Sequence, residues 1–214
     1  MENGRGHRDR GRRRDFDDDF GGGGGGGRDY GGGGGGYSPS PRFSSGPRFE
    51  EQPSGPPVKA VVKWFRGEVL TEWIDYNGHM NLAYYTVLFD YATDQLFDLL
   101  DLGLAYRRRT DLGTFVTETH NRYERELLVG DKVRVAIQIL FADDKRLHLA
   151  HEMFRLDNGE RAATQELLFL HVDLKARRVT PFPPELEARV HAAAAAHAAL
   201  PRPAWVGRHV GMKR

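Results

Sequence analysis

From residue 58 onward the chain moves between two hydrophobic periods. Residues 61–71 read as a strand in which Gly67 marks a bulge or a kink. A short polar loop, residues 73–81, interrupts it. From residue 82 to about 102, Leu82, Tyr85, Phe89, Ala92, Leu96 and Leu99 recur at helical spacing. Val87, Leu88 and Tyr91 widen that stripe until the first half of the helix is apolar nearly all round. Asp90, Thr93, Asp94, Asp98 and Asp101 take the polar side. Gly103 supplies a stop, and Arg107, Arg108 and Arg109 make an exposed basic connection. The period then drops to two. Strands are expected over 114–127, 132–141, 146–156 and 161–173, with Val133, Val135, Ile137, Ile139 and Phe141 in strict alternation. Polar turns at 142–145 and 157–160 join the last three as hairpins. A proline-rich stretch, 180–184, leads into an alanine-rich helix from about 185 to 199. Strand, long apolar helix and four antiparallel strands predict an α+β domain, with one sheet curling round a central helix and a further helix at the C-terminus. A single sheet leaves an edge and a face uncovered, so a homodimer or homotetramer is expected.

Composition divides the 214 residues into three segments. Residues 1–57 hold arginine-rich, acidic and glycine blocks with almost no aliphatic side chains. They cannot bury enough apolar area to offset their ordering entropy, and a disordered tail is expected. Residues 58–180 form the folded domain, and 181–214 the C-terminal helix and tail. Arginines and aromatics spaced along the tail would suit a weak RNA contact. The acidic block offsets the basic one, however, and the whole chain has a formal net charge of +1, so a leader without a specific partner is the favoured reading. The chain has no cysteine, which excludes disulfides, thiolate metal sites and cysteine nucleophiles and fits a reducing compartment. It has neither an apolar run of about 18 residues nor a secretory signal pattern. A cytoplasmic protein without a membrane partner is expected.

The loop over 73–81 holds the densest candidate chemistry. Asn81 is a good N-cap, so the first-turn N–H groups of the helix, Leu82 and Ala83 among them, point outward where an oxygen gaining negative charge would be held. Asp75 lies just ahead, placed to attack a carbonyl or to activate water. Asn77, His79 and Asn81 are polar partners for it, and Gly78 reads as a backbone requirement. Glu118 and His120 are two apart on a strand and therefore share a face, directed either at the site across a dimer or at solvent. His148 and His151 fall on opposite faces of their strand, which argues against a shared metal. No metal or cofactor is expected.

Asp75-Tyr76-Asn77-Gly78-His79-Met80-Asn81, followed by Tyr84-Tyr85, resembles the Asp-x-x-Gly-His-x-Asn signature of the 4-hydroxybenzoyl-CoA thioesterase-like group. Tyr123-x-Arg125-Glu126-x-x-x-Gly130-Asp131 resembles the second-strand element of that group. The runs Lys145-Arg146-Leu147-His148-Leu149, Glu166-Leu167-Leu168 and Thr180-Pro181-Phe182-Pro183 are similar to betainyl-CoA thioesterases. The resemblance covers residue 65 to the C-terminus. It implies a hotdog fold and an acyl-CoA thioesterase for short, polar acyl groups, betainyl among them. Asp75 would be nucleophile or general base, Asn77, His79, Asn81 and Glu118 would assist it, and the Leu82 and Ala83 N–H groups would hold the oxyanion. Gly78, Trp73, Tyr84 and Tyr85 would line the substrate site, and with Tyr91 the three aromatics could cage a quaternary ammonium. Arg107, Arg108, Arg109, Lys145 and Arg146 are available for the phosphates of coenzyme A. Two alternatives stand beside this. One is another hotdog thioester enzyme such as a hydratase, disfavoured because the carboxylate precedes the helix. The other is an RNA-associated protein that uses the tail, with the hotdog domain as a dimeriser. The Arg/Asp/Gly tail and residues 58–65 also resemble the leader and first strand of some bacterial cold-shock proteins, but the base-stacking strands of that family do not follow.

Overall fold

The computed structural model describes residues 65–212. The expected disordered tail and nearly all of the cold-shock-like strand lie outside these residues. The elements are β1 (Phe65–Glu68), α1 (Leu82–Leu99), α2 (Leu104–Thr110), β2 (Leu112–Tyr123), β3 (Lys132–Ala142), β4 (Arg146–Arg155), β5 (Arg161–Asp173), β6 (Arg178–Val179) and α3 (Pro184–His197). Six strands form one sheet in the order β1-β3-β4-β5-β2, with β6 paired to β5, and every pairing is antiparallel.

Alternation fixes two faces for this sheet. Val133, Val135, Ile137 and Ile139 of β3, Leu147, Leu149 and Met153 of β4, and Leu167 and Phe169 of β5 form one core with Tyr85, Leu88, Phe89, Ala92, Leu96 and Phe97 of α1. Phe97 meets Phe169 edge-on at 5.0 Å, and Phe89 stacks on His151 at 5.6 Å. Each buried leucine or phenylalanine stabilises by roughly 1.5–3 kcal/mol. Packing on the inner face therefore outweighs helix propensity in setting where α1 lies.

Several elements differ from the sequence expectation for physical reasons. The first strand ends at Glu68, and residues 71–73 form a 3-10 turn instead of continuing it. Gly67 marks no bulge, because it pairs with Val133 in regular register. A Cβ at Gly67 would lie 2.9 Å from Leu88 Cδ2, so glycine there lets α1 approach β1 closely. The bulge lies instead in β2, between Val116 and Glu118. Asp101, with φ +56°, makes the left-handed turn after α1, and Gly103 opens α2, which occupies the expected basic connection. Strand β6 went unforeseen; two residues are too few for a periodic signal.

The C-terminal residues pack on the same core. Leu186 and Val190 of α3 are buried, and buried His197 accepts a hydrogen bond from the Ile139 N–H at 2.8 Å. The chain then lies against the outer face of the sheet. There buried Trp205 donates from Nε1 to Glu152 at 3.1 Å, and the Gly207 N–H donates to Glu166 at 2.6 Å. No helix among the described residues is long and apolar enough to cross a membrane.

Candidate active site

Backbone hydrogen bonds pin the loop before α1 on several sides. Residues 75–78 form a tight turn: the Gly78 N–H donates to the Asp75 carbonyl and the Asp75 N–H to the His79 carbonyl, each at 3.0 Å. Gly78 sits at φ +83°, a region that side-chain-bearing residues avoid, so its role is conformational. The Met80 N–H donates to the Leu127 carbonyl at 2.7 Å and the Asn81 N–H to the Trp73 carbonyl at 2.9 Å. Inside this frame the Asp75 carboxylate accepts the Asn77 N–H at 2.8 Å through Oδ1. The Asp75 side chain is only 15% exposed, and His79 Nδ1 stands 3.9 Å from the same oxygen, too far for a hydrogen bond. The Asn77 contribution seen here is thus its backbone N–H. His79 is a partly exposed neighbour, its side chain 36% exposed.

Asn81 caps α1 as its residue type predicts: its Oδ1 accepts the Ala83 N–H at 3.0 Å. That bond occupies one of the two expected oxyanion donors. The Leu82 N–H has no partner among the described residues and is the donor left open at the helix start.

Strand β2 and the first turns of α1 supply the surroundings. On the inner face of β2, Asn121 donates from Nδ2 to Thr86 Oγ1 of α1 at 3.0 Å. The Tyr123 hydroxyl lies 3.5 Å from the Leu82 carbonyl. Tyr85 is buried, donates to the Arg125 carbonyl at 3.2 Å and meets Tyr123 edge-on at 5.2 Å. Burial pushes the Tyr85 hydroxyl up to about 12, helped by the nearby Glu126 carboxylate and opposed by a backbone hydrogen bond at Leu127. Tyr85 therefore stays protonated at neutral pH and works as a fixed wall. Trp73, also buried, stacks on half-buried Tyr84 at 5.2 Å. Tyr91 is not part of this group; its ring packs against Phe65 at 6.2 Å.

Glu118 is not brought to Asp75 within the subunit. Past the β2 bulge, Glu118 and His120 share the outer face, whereas Asn121 turns inward to α1. Glu118 and His120 line a separate outer cavity of about 360 Å³ with His148, Glu166, Arg208 and His209. His148 Nε2 is 2.7 Å from Glu166 Oε1 there, while His151 sits on the inner face. Exposed Glu126 adjoins Leu127, whose carbonyl anchors Met80 of the loop, and its charge reaches Tyr85 of α1. Its place in the resembling motif was visible, but its proximity depends on the Met80–Leu127 contact, which spacing does not reveal.

The expected phosphate-binding residues lie at the other end of the sheet. Arg146 and Phe115 both pair with Leu170, while Tyr123 pairs with Ala163. Eight residues of strand separate Phe115 from Tyr123, about 26 Å. Arg109 is paired with Asp101 at 2.8 Å and Arg146 with Asp143 at 2.6 Å. The arginines near the Tyr123 end are Arg122, Arg125 and Arg161, of which Arg161 binds Glu124 and Glu152 at 3.0 and 2.6 Å.

Known proteins share both the fold and the loop-bearing region. A profile of the thioesterase-like superfamily matches residues 69–190. A betainyl-CoA thioesterase of Pseudomonas aeruginosa is 40% identical over 155 residues, which cover 72% of this chain and 98% of that one. A Staphylococcus aureus protein solved in complex with CoA superposes with a TM-score of 0.68 at 26% identity, over 75% of this chain and 100% of that one. A Pseudomonas putida structure assigned as a thioesterase gives a TM-score of 0.62 at 32% identity, with the same two coverages. The chain belongs to the thioesterase-like superfamily and is a thioester hydrolase of the hotdog fold.

Proposed function

We propose that this enzyme hydrolyses the CoA thioester of a short, polar acyl group, with betainyl-CoA as the first substrate to test. One observation carries the reading. A pinned loop holds the Asp75 carboxylate just ahead of an α1 start whose Leu82 N–H is open. The named activity of the 40%-identical relative supports the acyl group, and the CoA-bound neighbour supports the carrier.

Two routes use the same atoms. As a general base, Asp75 takes a proton from water while the water oxygen bonds to the thioester carbon. As a nucleophile, its own oxygen forms that bond, and water then cleaves the resulting anhydride. In both, the carbonyl oxygen gains negative charge toward the Leu82 N–H, the C–S bond breaks, and CoA leaves as its thiolate. Losing such an oxyanion donor costs about 100- to 1,000-fold in rate. Asn81 serves by holding the helix start, and Asn77 by fixing the carboxylate. Within one subunit Glu118 takes no part in this scheme, because it lies on the outer face of its own sheet.

A cytoplasmic homodimer is the proposed form. β2 ends the strand order, and Phe115 and Val116 on it are each about half exposed. A second copy pairing antiparallel along β2 would cover them. It would also bring the far end of its own sheet, with its basic residues, toward the Asp75 end of the first.

Free-thiol release from a panel of acyl-CoA thioesters tests the function. Release that depends on Asp75 and ranks betainyl-CoA high supports it. Release from no member by a folded oligomer would overturn it.

A further inference from the structure

Tyr123, Asn121 and Thr86, which meet at the first turn of α1, have no role in the chemistry above, yet they lie beside the space where an acyl group must lie. A carbonyl oxygen held by that N–H leaves little freedom to the rest of a betainyl group. Two single bonds put its quaternary nitrogen only about 2.5 Å from the carbonyl carbon. The acyl tip therefore stays within the first turn of α1. There the structure places the Tyr123 hydroxyl 3.5 Å from the Leu82 carbonyl, with Thr86 one turn up the helix and Asn121 joined to Thr86 at 3.0 Å.

We propose that Tyr123, braced by Tyr85 and Asn121, selects the acyl group by presenting its ring to a quaternary ammonium next to the thioester carbonyl. This deepens the betainyl-CoA reading and rests on it. Three observations point to a methylated cation. The edge-on contact with Tyr85 at 5.2 Å and 75° holds the Tyr123 ring in place, and the residue is still 45% exposed. Thr86 and Asn121 Nδ2 satisfy each other, which suits a group that has no N–H to donate. Asn121 Oδ1 is buried without a hydrogen-bond partner, so an uncompensated partial negative charge lies beside the same wall. Trp73 and Tyr85 are both too buried to offer a face, half-buried Tyr84 is taken up by stacking on Trp73, and Tyr91 is elsewhere. The selecting ring is therefore one that the loop motif does not contain.

The test compares betainyl-CoA with 3,3-dimethylbutyryl-CoA, its neutral carbon isostere, on the full chain by thiol release. Wild type should favour the cation in kcat/KM. Tyr123→Phe keeps a ring and should keep the preference. Tyr123→Leu should reduce the preference by about 3- to 30-fold, mainly through KM for betainyl-CoA. An unchanged preference in Tyr123→Leu overturns the proposal, as does an equal loss on both substrates, which would mark Tyr123 as merely structural. A wild type that cleaves both thioesters without preference also overturns it while leaving the thioesterase reading intact. A wild type that cleaves no acyl-CoA removes the underlying function, and the selection proposal with it.

Discussion

His151 should make the stability of this fold depend on pH in a way that one substitution can isolate. Its ring is fully buried and stacked on Phe89. Nδ1 donates to Gln165 Oε1 at 3.0 Å, and Nε2 is buried with no partner. Protonation would put an unsatisfied N–H and a charge into the core, and burial pushes the pKa down to about 4, opposed by the hydrogen bond to Gln165. In the unfolded chain the ordinary value of about 6.5 returns. Between those values the unfolded state binds more protons, so stability rises with pH through the window and is lost as pH falls. From pH 7 to pH 5 the loss attributable to His151 is about 2 kcal/mol. Urea unfolding of wild type and His151→Gln, at equal protomer concentration and at pH 7, 6 and 5, measures it. The variant will be less stable at pH 7, but its curve should be flatter by about 2 kcal/mol over the interval. Carboxylates titrate too. Asp94, pushed up to about 6 by burial and by Asp90 and Asp98, acts in the opposite direction. They do so in both proteins, so only the difference counts. Parallel curves would refute the assignment of a neutral buried imidazole.

Other predictions concern the site. Asp75→Asn should keep the fold and oligomer while kcat falls by about 100- to 10,000-fold, read as thiol release under saturating substrate. Glu118→Gln should leave kcat/KM within about two-fold, as expected of a surface change remote from the site. Glu126→Gln should lower it more, and the reverse ranking would return Glu118 to the chemistry. Deleting residues 1–57 should leave kcat/KM within about two-fold. Salt-dependent RNA binding that disappears with the same deletion would give the tail a separate role.

Much of this architecture was legible because its signals are local. The stripe from Leu82 to Leu99 and the alternation of β3 follow directly from one-sided burial. So does the Asn81 cap, which needs only its own side chain and the next turn. What could not be read depends on partners distant in sequence. Glu118 and His120 visibly shared a face, but the bulge after Val116 and the docking of Asn121 on Thr86 decide which face. The four aromatics around the motif looked equivalent, yet packing buries Trp73 and Tyr85, stacks Tyr84 on Trp73 and sends Tyr91 to Phe65. Helix α2 is only seven residues long, below the length at which helical periodicity declares itself. The path of residues 198–209 over the outer face depends on Glu152 and Glu166, both far earlier in the chain.

Gly67 carries no chemistry, yet it bears on the reaction as a spacer. Leu88 fills the place where any larger residue at position 67 would put its first carbon. The Leu88 side chain of α1 therefore packs directly against the Gly67 backbone of β1, six residues along from the Leu82 N–H. A rigid rod held that tightly on one side transmits its position to its end. Misplacing a reacting group by about 1 Å can cost about 100-fold. The gap between the carboxylate on the loop and the donor on the helix is thus calibrated from behind, by an edge strand that never meets the substrate.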